Sequence, residues 1–340
     1  MYGITLRDFI ASFYLPRRSS HRTCTIAVTA LLTLAILAGC RRGTGELTGP
    51  NNTPALRRLR ASLALVPAEA RIVLGLDLER LRLSPLGQAL AAGPLKQAAL
   101  YFDAFAKGTG IHLLEEVRQI VVAVPGERQD DDRCVVIAET SRIDRARIAT
   151  WLQQRHDTGP RAFLHGANRI VIAQGAWADQ VAKLAGAANP GPSADDDAEI
   201  RRLCERAAHN HPLWLAAVVP ASLRRRLAGD ARFPDVASLA RLSAFIECDD
   251  GLHAKAIAEL SNRIDSASLA HRLGTYVNSA KRHPDLLAQG LAPYLEALRL
   301  VPRGPHLHAD LKLTAGQAND LISHLEDLVR GARDGRRLPH

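Results

Sequence analysis

The side chains best suited to chemistry fall into a few short groups. His209 and His211 flank a single residue and follow Cys204, so two imidazoles and a thiolate could approach one ion. His306 and His308 alternate along a strand-like run and would share one sheet face, a geometry that some zinc sites use. Neither group has an obvious third ligand with carboxylate support, and a solvated surface explains each as well. The expectation is no metal centre, with His209, His211, His306 and His308 as the side chains that would form one. The Asp runs 130–132 and 195–197 lack the Gly and Glu positions of a calcium loop and read as solvated loops. Asp77 ends an apolar run; buried, it would be a functional acid, but its place suits capping of a helical turn that starts at Leu78. The chain has no Gly-x-Ser-x-Gly elbow, and Lys107-Gly108-Thr109-Gly110 lacks the spacing of a phosphate cradle. Cys-x-x-Cys and His-Glu-x-x-His are also absent. No catalytic residue and no cofactor are expected.

One cysteine has a different chemistry in prospect. Arg7, Arg17, Arg18 and Arg22 face a single early acid, Asp8, and the apolar run TIAVTALLTLAILAG follows over residues 25–39. That run is too short for a stable membrane span and has the length of a secretory h-region. It ends Leu37-Ala38-Gly39-Cys40, which resembles the bacterial lipobox at all four positions. The resemblance implies that residues 1–39 are a lipoprotein signal peptide and that the Cys40 thiol carries fatty-acyl chains such as palmitate. Several chains on one Cys anchor durably where one binds reversibly. Ser19, Ser20 and His21 after Arg17-Arg18 do not fit a twin-arginine signal, so ordinary secretion is expected. In lipoproteins of this kind an Asp after the Cys favours inner-membrane retention; Arg41 stands there, which implies an outer membrane, facing periplasm or surface.

Composition narrows the rest. Net charge is +9, and removing Arg7, Arg17, Arg18, Arg22 and Asp8 with the signal leaves +6. That balance is mild, without a dense basic block, so nucleic-acid binding is not expected; some attraction to anionic envelope components is. Aromatics are 4% of residues, so the core must be aliphatic. Cys134, Cys204 and Cys248 remain besides Cys40, an odd number, and no disulfide framework is expected.

Residues 40–60 read as the lipidated Cys and a flexible tether, 61–188 as a first unit, 189–211 as a linker, 212–330 as a second unit and 331–340 as a frayed tail. The same order of elements occurs twice. Strands at 72–78, 117–124, 134–139, 162–165 and 169–173 are matched by strands at 213–219, 242–248, 252–260, 298–301 and 306–313, with helical segments in between. Short turns such as Asp249-Asp250-Gly251 join strands two and three, and four and five, as antiparallel hairpins. The phrase Ile137-Ala138-Glu139-Thr140-Ser141 echoes Ile257-Ala258-Glu259-Leu260-Ser261. In the run 306–313, Leu307, Ala309, Leu311 and Leu313 point inward, and the polar residues form an open face where a partner could dock. The expected fold is α+β: two tandem similar units, each a mostly antiparallel sheet with helices on one face.

Val66-Pro67-Ala68-Glu69-Ala70, a strand ending in Asp77, and Ser84-Pro85-Leu86-Gly87 resemble segments of uncharacterised duplicated lipoproteins from high-GC Gram-negative bacteria. That resemblance implies no particular activity. The expected function is a non-catalytic envelope scaffold that binds another protein or an envelope polymer and meets the membrane through lipid on Cys40. A carrier of lipid or another apolar ligand is the first alternative, and a hydrolase with a dispersed site the second.

Overall fold

The computed structural model describes residues 54–333 apart from 86, 89–105, 127–131, 154–159, 188–189, 229–237, 249–250, 262–265, 283, 285–286 and 288–289. Cys40, its lipobox and residues 40–53 of the expected tether lie outside the described residues, as do Asp130 and Asp131.

The chain is α+β and is built on one antiparallel sheet. The first half supplies β1 (Ile72–Asp77), β2 (Val117–Val124), β3 (Cys134–Thr140), β4 (Arg161–His165) and β5 (Arg169–Gln174). The second supplies β6 (Leu213–Val218), β7 (Leu239–Glu247), β8 (Gly251–Leu260), β9 (Leu298–Arg303) and β10 (His306–Thr314). The ten strands are ordered β4-β5-β3-β2-β1-β6-β7-β8-β10-β9, so each half runs outward from the centre in the same sequence of elements. The two sets of strands do not close separately. β1 pairs antiparallel with β6, Ile72 opposite Ala217 and Leu76 opposite Leu213, and the sheet is continuous across the join. Gly75 lies opposite Trp214 there, and a Cβ on it would stand 2.2 Å from the indole. The glycine makes room for the ring.

Strand alternation gives the sheet two faces. Face A carries Val73, Val121, Ala123, Val135, Ile137, Val171 and Ala173, joined by Trp214 and Ala216 in one core cluster. Three helices cover it: α1 (Pro54–Leu63), α5 (Trp177–Gly186) and α6 (Ala198–Ala208), which bury Leu59, Leu63, Trp177, Val181, Ile200 and Cys204. Face B carries Leu76, Ile170, Leu213, Leu252 and Leu313. Against it pack α2 (Leu78–Leu83), α4 (Arg145–Gln153), α8 (Ser266–Ala280), α9 (Ala292–Glu296) and α10 (Ala315–Arg333) through Leu81, Ile148, Leu269, Tyr294, Leu321 and Ile322. Shorter helices α3 (Leu113–Glu116) and α7 (Ala221–Ala228) complete the described set.

Three differences from the sequence reading follow. Residues 54–60, expected as tether, belong to α1, whose Leu56, Leu59 and Leu63 recur at helical spacing and enter the core. The stretch 189–211, expected as a linker, contains α6 behind an ordered turn. Asp196 accepts from the Ser193 amide, Asp197 caps the helix by accepting from Glu199 and Ile200, and Ala194 donates to Val66. Helices also lie on both faces of the first half, whereas in the second half those beyond β7 lie on face B. The closing helices α5 and α10 occupy equivalent places in chain order yet dock on opposite faces. β5 leads into α5 through Gly175 at φ 63, where a Cβ would stand 2.4 Å from the Asp132 carboxylate. β10 runs directly into α10 through Thr314 and Gln317, each bonded to the other's backbone amide, a capping box.

Candidate functional site

Beyond β7, face A carries no helix among the described residues, and apart from Ile257 and Val301 the side chains there are polar. Cross-strand register sets them in rows. Glu259, His306 and Arg303 form one row, Ile257, His308 and Val301 the next, Lys255, Asp310 and Arg299 the third. His253 and Lys312 begin a fourth, with Glu247 on β7 beyond His253.

His253 is the hub. Its Nδ1 lies 3.0 Å from Glu247 and its Nε2 2.9 Å from Asp310, so the doubly protonated ring can donate to a carboxylate on either side. The hydrogen bond to Glu247, with a smaller contribution from Asp310, raises the pKa of His253 against the opposing effect of burial. Glu247 is held down at about 2, first by His253 and, against burial, by Lys255, whose Nζ lies 3.1 Å away. Lys255 also stands 5.7 Å over the Phe245 ring, and Phe245 stacks on His211 at 3.8 Å. Burial pushes His211 down to about 4, leaving it neutral. Arg241 ties Glu259 on the sheet to Glu199 on α6. The arrangement is a charge-compensated network with an exposed rim of Arg299, Val301, Arg303 and Lys312.

The sequence-predicted residues separate accordingly. His306 and His308 do share face A, with ring centroids 6.4 Å apart, and burial together with the charges of Arg303 and His306 lowers the pKa of His308. His209 and His211 diverge: His209 ends α6 and bonds Asn210, while His211 lies beneath Phe245. Cys204 faces the α6 core, where burial pushes its thiol up. Cys134, Cys204 and Cys248 are all buried. Among the described residues no three His, Cys, Asp or Glu side chains gather as metal ligands. Asp77 caps α2 by accepting from the Arg80 amide, and burial raises its pKa. Sequence inspection missed the Glu247–His253–Asp310 network because its members lie on three strands; the only local signal was a His in an alternating run.

Face B holds a second feature. A trough of about 290 Å³ crosses the sheet, walled by Leu74, Leu213, Leu215, Ile246, Leu298 and Leu311 and floored by alanines. Trp214, Phe245 and Lys255 also border it, but their side chains stand on face A.

No family model matches the chain, and no curated protein matches it. A solved structure described as "Structure of crystal form I of TP0453" aligns over 78% of this chain and 97% of its own, at 10% identity and a TM-score of 0.38. A likeness that loose carries no argument. No helix among the described residues is long and apolar enough to cross a membrane.

Proposed function

We propose that this chain is an envelope lipoprotein, tethered by lipid on Cys40 at an outer membrane, whose duplicated body is a non-catalytic binding scaffold. The observation that carries the binding role is the largely polar face of β8, β10 and β9, which no helix among the described residues covers. Its interior charges compensate one another, and its rim presents Arg299, Arg303 and Lys312 to solvent. A flat, pre-paired surface costs little to desolvate compared with isolated charges, and its cationic rim suits an anionic envelope protein or polymer. The test is cross-linking in native membranes with wild-type protein and with Arg299→Glu/Arg303→Glu. Loss of specific cross-linked species in the variant supports the reading; an unchanged set removes face A from it. The anchor is tested separately by Cys40→Ser and fractionation, where unchanged membrane association would sink it.

A second reading, carriage of an apolar ligand, is favoured by the trough on face B. It gives the second half of the sheet a lining of carbon outside the closed core.

A further inference from the structure

The trough has a built-in comparison within the molecule. Outward from Leu215 on β6, one cross-strand row runs Ala244, Ala256, Ala309 on β7, β8 and β10. Outward from Leu74 on β1, the corresponding row on β2, β3 and β5 runs Val122, Val136, Ile172. Both rows lie on face B, at the same distance from the β1–β6 join. Each alanine lacks the two or three side-chain carbons that its counterpart uses to fill the same space. The next row is the same in both halves: Ala254 between Ile246 and Leu311 corresponds to Ala138 between Ile120 and Ile170. The extra space therefore comes from the one row Ala244, Ala256 and Ala309, brought into line by register, where the first half carries Val122, Val136 and Ile172.

We infer that this trough is the binding site for one unbranched acyl chain, the tail of a single-chain amphiphile of the fatty-acid type. The inference rests on the carrier reading above and assigns its ligand and its residues. Three properties select the ligand. The lining is carbon from leucine, isoleucine and alanine, so a polar ligand would lose hydrogen bonds it cannot replace, and water is held poorly. The floor crosses three strands spaced about 4.8 Å apart, which makes it long and one side chain wide. The volume of about 290 Å³ lies at the lower end for small-molecule sites, enough for one chain and too little for the paired tails of a membrane lipid. Leu215, Ile246, Leu298 and Leu311 are only half-buried, so apolar surface remains for a chain to cover.

The test is equilibrium dialysis of the purified full-length protein against radiolabelled palmitate, with phosphatidylglycerol vesicles as a second arm. The decisive variant is Ala244→Val/Ala256→Val/Ala309→Ile, which plants the first half's row in the second. Saturable palmitate binding by the wild type, weakened at least about tenfold in a variant that melts no lower than wild type, supports the site. Should the triple variant fail to fold, Ala309→Ile alone, carrying the side chain of Ile172, takes its place. Palmitate bound equally by the filled variant overturns the site, and diacyl lipid taken up as well as palmitate overturns the single-chain ligand. Absence of palmitate binding overturns the inference. Anilinonaphthalene sulfonate then separates the two claims: dye bound by wild type and excluded by the filled variant leaves the carrier reading standing with another ligand, and no dye binding removes that reading too.

Discussion

The two halves of the sheet share a strand order and treat their surfaces in opposite ways. In the first half, face A carries Val121, Val135, Ile137 and Val171 in one core with α1 and α5, and α6 carries that cover on over β6 and β7. In the second half, face A at β8 and β10 carries His253, Lys255, Glu259, His306, His308 and Asp310. The echo phrases show the divergence residue by residue. Ile137 is 1% exposed, while Ile257 at the matching place is half-buried. Glu139 is 3% exposed and pairs with Arg169 at 3.0 Å; Glu259 is half-exposed and opposes His306. The lesson is that backbone topology constrains where side chains point, and helix docking decides what that pointing is worth. One half spends its surface on folding, and the other keeps it available.

That contrast can be broken at matched positions. Ile137→Ala should cost about 3 kcal/mol by urea denaturation and Ile257→Ala less than about 1, because only the first leaves a cavity under a helix. Similar losses at both sites would mean that face A is covered in both halves. Glu139→Gln should cost about 2–3 kcal/mol by leaving Arg169 charged and poorly partnered, whereas Glu259→Gln should cost under about 1 kcal/mol at a pair open to water. Gly175→Ala should cost more than about 1 kcal/mol, from its φ of 63 and the Asp132 carboxylate, and should loosen α5; Thr314→Ala should cost about 1 kcal/mol and fray the start of α10. Hydrogen exchange along each helix reads the difference.

The smallest effect concerns pH. His253 has a raised folded pKa, so its contribution to stability is complete below its ordinary value of 6.5 and fades as pH rises through the folded value. Glu247, depressed to about 2, contributes fully above 4.5 and fades as pH falls toward 2. Together they support the second half most between pH 4.5 and 6.5. His211 works in the opposite sense, since its value of about 4 costs stability as pH falls below 6.5. The gap in melting temperature between wild type and His253→Gln should therefore be widest below pH 6.5 and close in alkali. A gap that stays constant across that range would show that the His253 ring acts by packing rather than charge.

Much of the strand plan was legible in the sequence. Period-two alternation and tight polar turns mark β2, β3, β8 and β10, and the open polar face of β10 follows from His306 to Leu313. Two of the three helices that close face A were not read. In α1 the leucines at 56, 59 and 63 keep helical spacing but stand among Arg57, Arg58 and Arg60, directly after a Gly- and Asn-rich stretch. In α6, Ile200, Leu203, Cys204 and Ala207 form a stripe behind Asp197, hidden by the Pro, Gly and Asp residues that precede it. Both patterns were available, and composition outweighed them. The trough and the His253 network were beyond sequence reading for another reason. Ala244, Ala256 and Ala309 are unremarkable apart and become a floor only when register aligns three strands, and the same holds for Glu247, His253 and Asp310.

The central β1–β6 pair has a consequence for how the chain is made. Until β6 emerges, the first half carries an unpaired edge with Ile72, Leu74 and Leu76 beside open backbone amides and carbonyls. A chain leaving the ribosome would pass through that state with its stickiest strand bare, and two such halves could join through β1 in place of the proper β6. Long-range closure of this kind slows folding, because loop entropy is lost before the contacts that offset it form. The protein is thus indivisible in a practical sense. A gene cut between the halves should yield aggregates or mispaired dimers, and any chaperone that attends the chain has its most urgent work while the second half is still arriving.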